Sequence, residues 1–174
     1  MGGRTTHDRG RTVSTLTAAD LAREPFLRGM RSADLARLAT AARPAAIPAG
    51  RRIIAEAAPA ERFWLIRDGE AALDLGVPGG GTVVVDTSGP GSVLGWSWLF
   101  HPYRWRFGAT AVTGVAAVEF DGRLVRTLCA VDPALGYELT RRFTELAVDR
   151  LQAVRLRLLE AVSTAPSTVP APHT

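Results

Sequence analysis

The sequence predicts an α+β domain that is mainly β: an eight-stranded β-roll or jelly-roll, with short helices before it and one long helix after it. Three observations carry this expectation. Eight short apolar runs follow one another between Ala45 and Phe120, separated by turn-forming residues. The hydrophobic period changes from helical to strand-like after Pro44 and returns to helical at Gly122. From Pro133 to about Val162 no proline interrupts a run whose apolar residues recur every three or four positions.

Residues 1–14 are rich in Gly, Arg and Thr, lack periodicity, and are expected to form a disordered tail. The domain should then occupy residues 15–162. Thr17-Ala-Ala-Asp20 is suited to cap a short helix through Leu21 toward Glu24, and Phe26, Leu27 and Met30 supply apolar anchors. Ser32-Ala-Asp34 caps a clearer helix, expected over Asp34 to Ala42, with Leu35 and Leu38 on one face and Pro44 ending it.

The eight runs are Ala45 to Ile47, Ile53 to Ala55, Phe63 to Ile66, Ala71 to Val77, Thr82 to Asp86, Val93-Leu94, Ala109 to Thr113 and Val115 to Phe120. Pro48-Ala-Gly50, Asp68-Gly69, Pro78-Gly-Gly-Gly81 and Ser88-Gly-Pro-Gly91 mark turns between them. Their even spacing predicts a closed or double-sheet structure in which no long strand is left as an open edge.

A short helix is expected from Arg123 to Val131, and Asp132-Pro133 starts another with Asp at the cap and Pro in the first turn. That last helix, over 133–162, would be roughly 45 Å long at 1.5 Å per residue, more than a small roll needs for its own packing. Its stripe runs through Leu139, Phe143, Leu146 or Ala147, Leu151, Val154, Leu158 and Ala161. The first half should pack on the roll and the second half on another copy, giving a homodimer. From residue 163 to 174 the Pro-, Ser- and Thr-rich sequence is expected to be unstructured.

Composition excludes several functions. All 21 basic residues are arginine, but 17 acidic residues are spread among them and the net charge is only +4. No basic run matches the scale of a tail that binds nucleic acid. The single cysteine, Cys129, excludes an internal disulfide and fits a reducing cytosol. No stretch has the length of a membrane span, and the N-terminus lacks the apolar region of a secretory signal, so a cytoplasmic protein is expected. Of the three histidines only His101 lies in the body of the chain, which leaves a metal site unsupported. A lysine-free chain has no Schiff-base or phosphate-loop lysine, and no nucleophile elbow is present, so no enzyme is expected. Asp68, Glu70, Asp74 and Asp86 occupy turn and strand positions expected of solvated carboxylates.

The stretch from Gly91 to Thr113 stands apart. Half of the chain's aromatic residues, Trp96, Trp98, Phe100, Tyr103, Trp105 and Phe107, fall within it, interleaved with Arg104 and Arg106 and entered through Gly91 and Gly95. Two readings are open. A short helical turn after Gly95 would aim free N–H groups at an anion, with the arginines completing a phosphate or carboxylate clamp. Alternatively the aromatics fill the roll's core and the arginines lie over them in solvent.

The order of these elements resembles the cyclic-nucleotide-binding domain of catabolite-activator-type (CRP/FNR-like) regulators, over roughly Phe26 to Leu159. The landmarks are Gly50 in PAGRRIIAEA, Phe63 to Gly69 in FWLIRDGEA, and Gly91 with Gly95 in GPGSVLGW. GWSWLF followed by PYRW is similar to a branch of stand-alone bacterial domains of this kind. In nucleotide-binding members the cassette reads like Gly-Glu-x-x-Leu and then Arg-x-Ala-Ser/Thr. The glutamate holds the ribose, and the arginine holds the cyclic phosphate. Here Gly95 and Leu99 match, but Trp96 replaces the glutamate, and an indole cannot accept a ribose hydrogen bond. Counting forward makes the arginine Arg106; counting back puts Trp105 there, with Arg104 in reserve, and Phe107 and Gly108 follow where small hydroxyl residues belong.

The resemblance therefore implies a sensor or adaptor with a degenerate cassette at Gly95, Trp96, Ser97, Trp98, Arg104 and Arg106. Its ligand would be cAMP, cGMP, another nucleotide or a different small anion. The alternative is a protein–protein interaction domain whose pocket is plugged by Trp96 and Trp98. A winged helix-turn-helix needs on the order of 60 residues, and only the tail after Val162 remains, so direct DNA binding is not expected and output would pass through the dimer or a protein partner.

Overall fold

A computed structural model of the chain describes residues 15–163. Of the tails expected at residues 1–14 and 163–174, residues 1–14 and 164–174 lie outside the described residues, and Ser163 is corrected: it ends the last helix instead of opening the tail. Helix α1 (Ala18–Leu21) opens with a reciprocal cap: Thr17 Oγ1 accepts from the Asp20 N–H at 3.2 Å, and the Asp20 carboxylate accepts from the Thr17 N–H at 2.9 Å. A 3-10 turn (Pro25–Leu27) leads to α2 (Ser32–Ala39), which buries Leu35 and Leu38.

The expected helix over Asp34 to Ala42 is corrected here. It starts at Ser32 and stops at Ala39, because Ala42 and Pro44 already belong to β1 (Ala42–Ile47). Pro44 does not end a helix. It lies opposite Val118 in a marginal strand, a position where a residue without an N–H is tolerated.

All eight strands form. With β2 (Arg52–Ile54), β3 (Arg62–Asp68), β4 (Ala71–Gly76), β5 (Thr82–Ser88), β6 (Val93–Leu94), β7 (Gly108–Ala111) and β8 (Val115–Asp121), they make two antiparallel four-stranded sheets, ordered β1-β8-β3-β6 and β2-β7-β4-β5. The roll is a double sheet. The expectation that no long strand would be left at an edge fails: seven-residue β5 is marginal, and Val83, Val84 and Val85 on it are exposed.

The core between the sheets is sealed by aromatic stacking. Phe63 of β3 lies parallel to Phe120 of β8 at 4.6 Å and to Trp98 at 4.8 Å. Asp121 caps α3 (Gly122–Val131) by accepting from the Arg123 and Leu124 N–H groups at 2.9 and 3.0 Å. Gly122 eases this junction, since a Cβ there would press on Trp98 and the Glu61 carbonyl at 3.0–3.1 Å.

Asp132 caps α4 (Pro133–Ser163), its carboxylate accepting from Ala134 and Leu135 and pairing with Arg37. Leu135, Leu139 and Phe143 of α4 are fully buried, and Phe143 meets Phe26 at 4.8 Å and Trp98 edge-on at 5.5 Å. Further along, Leu151, Leu158 and Val162 are exposed. Among the described residues no helix is long and apolar enough to cross a membrane.

Candidate functional site

After β6 the chain leaves the sheet at Gly95, whose φ of +82° is left-handed. A side chain there would also strike the Trp105 ring at 2.8 Å. Gly95 is therefore demanded by the fold. The 3-10 turn that follows (Ser97–Leu99) bonds through the Leu99 and Phe100 N–H groups to Trp96 and Ser97, which places the bonded groups at its C-terminal side.

The turn sorts the aromatic residues into three groups. Trp98 and Trp105 are buried, the second against Trp64 at 6.1 Å. Trp96 and Phe107 are half-buried and face a cleft, while Phe100 and Tyr103 are exposed. The core-filling reading of the stretch thus holds for Trp98 and Trp105, whereas Trp96 faces the other way, toward the cleft.

The cleft has a volume of about 600 Å³. Leu73 and Leu75 of β4, Val85 and Asp86 of β5, the turn residues Trp96, Ser97 and Phe100, the pair Arg106-Phe107 before β7, and Ala147, Arg150 and Val154 of α4 line it. Consecutive Val85 and Asp86 both reach it because β5 is bulged: Leu73 pairs with Asp86 but Asp74 with Val84, so Val85 is the extra residue. The bulge turns a carboxylate toward an otherwise apolar wall.

Arg150 is the site's central cation. It donates to Ser88 Oγ at 2.8 Å, lies 3.6 Å from the Asp86 carboxylate, and stands 5.6 Å from the centre of the Trp96 ring. Burial pulls its pKa below the usual arginine value, with Asp86 opposing that shift and Arg157 adding to it. Arginine stays protonated regardless, so the shift reports a poorly hydrated cation. Arg157, one helical turn beyond Val154, bonds the same Asp86 carboxylate at 3.2 and 3.3 Å. Contact between α4 and the roll therefore extends to Arg157, well past the midpoint at which the sequence predicts it to end.

Of the six residues expected at the site, Trp96, Ser97 and Arg106 line the cleft. Gly95 shapes the turn. Trp98 lies in the core, so it plugs nothing. Arg104 points elsewhere: its Nη1 donates to the Ala57 carbonyl at 2.7 Å. Arg106 makes no hydrogen bond or ion pair with protein among the described residues. Sequence reasoning missed Asp86 and Arg150. Arg150 had a signal: it lies seven residues after Phe143, two helical turns along the roll-facing side, where a cation needs a reason to be. Asp86 had none, since a bulge leaves no mark in the hydrophobic pattern. Among the described residues no group of His, Cys, Asp and Glu is placed to hold a metal ion.

A β-roll with a cleft closed by its own long helix has the form of a small-molecule-binding module. Residues 45–132 match the sequence profile of the cyclic nucleotide-binding domain, and the chain belongs to that family. The CRP-like cAMP-activated global transcriptional regulator of Mycobacterium tuberculosis is 28% identical over 121 residues, 70% of this chain and 54% of the regulator. The chain thus spans about half the length of the curated relatives it matches. Among solved structures, a Geobacter metallireducens protein superposes with a TM-score of 0.71 at 24% identity, covering 78% of this chain and 98% of that one. A cAMP-binding acyltransferase from Mycobacterium smegmatis gives 0.62 at 28% identity, over 78% of this chain and 41% of the enzyme.

Proposed function

We propose that this chain is a non-catalytic cytoplasmic sensor module that binds a nucleotide or other small anion in the cleft beneath α4 and signals through a homodimer or a protein partner. The observation that carries the reading is the cleft itself, which gathers the unpaired Arg106 and the desolvated Arg150 against apolar walls. Arg106 is exposed and Arg150 largely buried, and a guanidinium shielded from water binds an anion better than one in bulk solvent. The similarity to cAMP-activated and cAMP-binding proteins makes cAMP and cGMP the first ligands to try. Because α4 supplies Arg150, occupancy alters contacts that hold the helix, and a helix with an exposed stripe at Leu151, Leu158 and Val162 can pass that change to a second copy.

Native mass spectrometry of the untagged protein purified from its own host tests this reading. A dimer carrying a phosphate-bearing nucleotide or another anion is expected. A protein that stays empty when offered cyclic nucleotides and other anions refutes it. A second reading, a ligand-free protein-interaction domain, draws on the exposed valines of β5 and on Phe100, and it predicts that empty outcome.

A further inference from the structure

The walls of the cleft say more about its ligand than its cations do. Leu73, Leu75 and Val85 form one side, Phe100 and Phe107 another, and Val154 the helix side. A nucleotide brings a ribose and a base edge that require hydrogen-bonding partners, and burying them unpaired is costly. The acceptor that the resemblance requires for the ribose is replaced by Trp96. The one carboxylate present, Asp86, is already engaged by Arg150 and Arg157. Besides the two arginines, the lining adds only the Ser97 hydroxyl and the donor-only indole N–H of Trp96. The cleft is thus poor in partners for a sugar and rich in surface for a hydrocarbon.

Its charge is equally one-sided. Arg106 is unpaired among the described residues, and Arg150 spends its contacts on Ser88 and on half of a shared carboxylate. A guanidinium carries five N–H donors, so Arg150 retains capacity for an incoming acceptor.

Building on the reading that this cleft binds an anion, we propose that its ligand is an organic monoanion with an apolar body, an aromatic or medium-chain aliphatic carboxylate, whose carboxylate pairs with Arg106 and Arg150 while the body lies on Leu73, Leu75, Phe107 and Val154. The anion enters as a second acceptor for Arg150, in competition with Asp86. No covalent step is involved.

Isothermal titration of the full chain with 2-naphthoate, decanoate, 2-naphthamide and cAMP tests the proposal. At least one of the two acids should bind ten-fold or more tighter than the neutral amide, and tighter than cAMP. Preference for naphthoate identifies a ring as the body, and preference for decanoate a chain; either supports the proposal. Arg106→Ala and Arg150→Met should each weaken the acid ten-fold or more and leave the amide unchanged. The acid-to-amide ratio in the unaltered protein carries the test if a variant fails to fold. Tight cAMP binding with neither acid bound overturns the ligand class and leaves the anion sensor standing. Equal affinity for acid and amide overturns the proposal by showing that charge is not read. Binding of none of the four overturns the proposal and counts against the sensor reading as well.

Discussion

Replacing Phe143 by Ala tests how firmly α4 is held to the roll. The ring is 1% exposed and contacts Phe26 at 4.8 Å, Trp98 at 5.5 Å and Phe63 at 5.6 Å. Truncating a buried phenylalanine costs about 3–5 kcal/mol, from lost transfer energy and the cavity left behind. Three aromatic contacts vanish with it, each contributing about 0.5–1.5 kcal/mol, which puts the expected loss in the upper part of that range. For a domain of this size each kcal/mol lowers Tm by about 2–4 °C, so the variant should melt roughly 8–20 °C lower. Urea unfolding followed by tryptophan emission and far-UV circular dichroism, at two protein concentrations, provides the measurement. Leu158→Ala is the control. This side chain is 61% exposed in the protomer, so a monomer should lose no more than about 0.5 kcal/mol. In a dimer built on this stripe, Leu158→Ala destabilises more, and by an amount that depends on concentration. A loss below about 1.5 kcal/mol for Phe143→Ala, with an unchanged m value, would refute the docking of the first half of α4.

Four further outcomes are expected. Gly95→Ala should destabilise by about 1–2 kcal/mol from its left-handed backbone alone, and by more from the clash with Trp105, seen as a lower urea midpoint. Arg104→Ala should leave anion affinity unchanged in titration, because Arg104 is spent on the Ala57 carbonyl away from the cleft. Asp86→Asn should raise the affinity for an anionic ligand several-fold, by removing the carboxylate that competes for Arg150. The cap of α4 sets an acid limit. Hydrogen bonds from the Leu135 and Ala134 N–H groups, together with Arg37, hold the Asp132 pKa below the usual aspartate value. Its stabilisation is then fully present above the unfolded-state pKa and is lost as pH falls through the lowered folded one. Wild type and Asp132→Asn should therefore differ in urea midpoint at pH 7 and converge at the acid end of an unfolding series.

The strands were legible because turn residues and apolar runs alternate so evenly, and all eight appear where the pattern puts them to within a few residues. The limits of the sequence lie where local pattern meets tertiary geometry. Pro44 reads locally as a helix stop, yet a marginal strand accepts proline as readily, and α2 had already ended at Ala39. Trp96 and Trp98 look equivalent in sequence, but they stand on opposite sides of a three-residue turn, one facing the cleft and the other stacked on Phe63. Counting forward through the loop points to Arg106 and counting back to Trp105, with Arg104 in reserve; the structure places only Arg106 at the cleft, Trp105 in the core and Arg104 on the Ala57 carbonyl. Asp86 depended on a bulge that no spacing announces.

On the proposed sensor reading, the shared carboxylate would let the site report occupancy through small energies. Asp86 holds Arg150 and Arg157, both on α4, at 3.6 and 3.2 Å, and both arginines are partly exposed, so each ion pair contributes no more than about 1 kcal/mol. The first half of α4 is fixed by buried Leu135, Leu139 and Phe143, each side chain contributing about 1.5–3 kcal/mol. The second half is therefore held far more weakly than the first. A ligand that draws Arg150 from Asp86 changes the weak part without touching the strong part. A shift of about 1–3 kcal/mol is the usual size of an allosteric coupling and multiplies a population ratio roughly five- to 150-fold. Stronger pairing would lock the helix, whereas no pairing would leave nothing for the ligand to change.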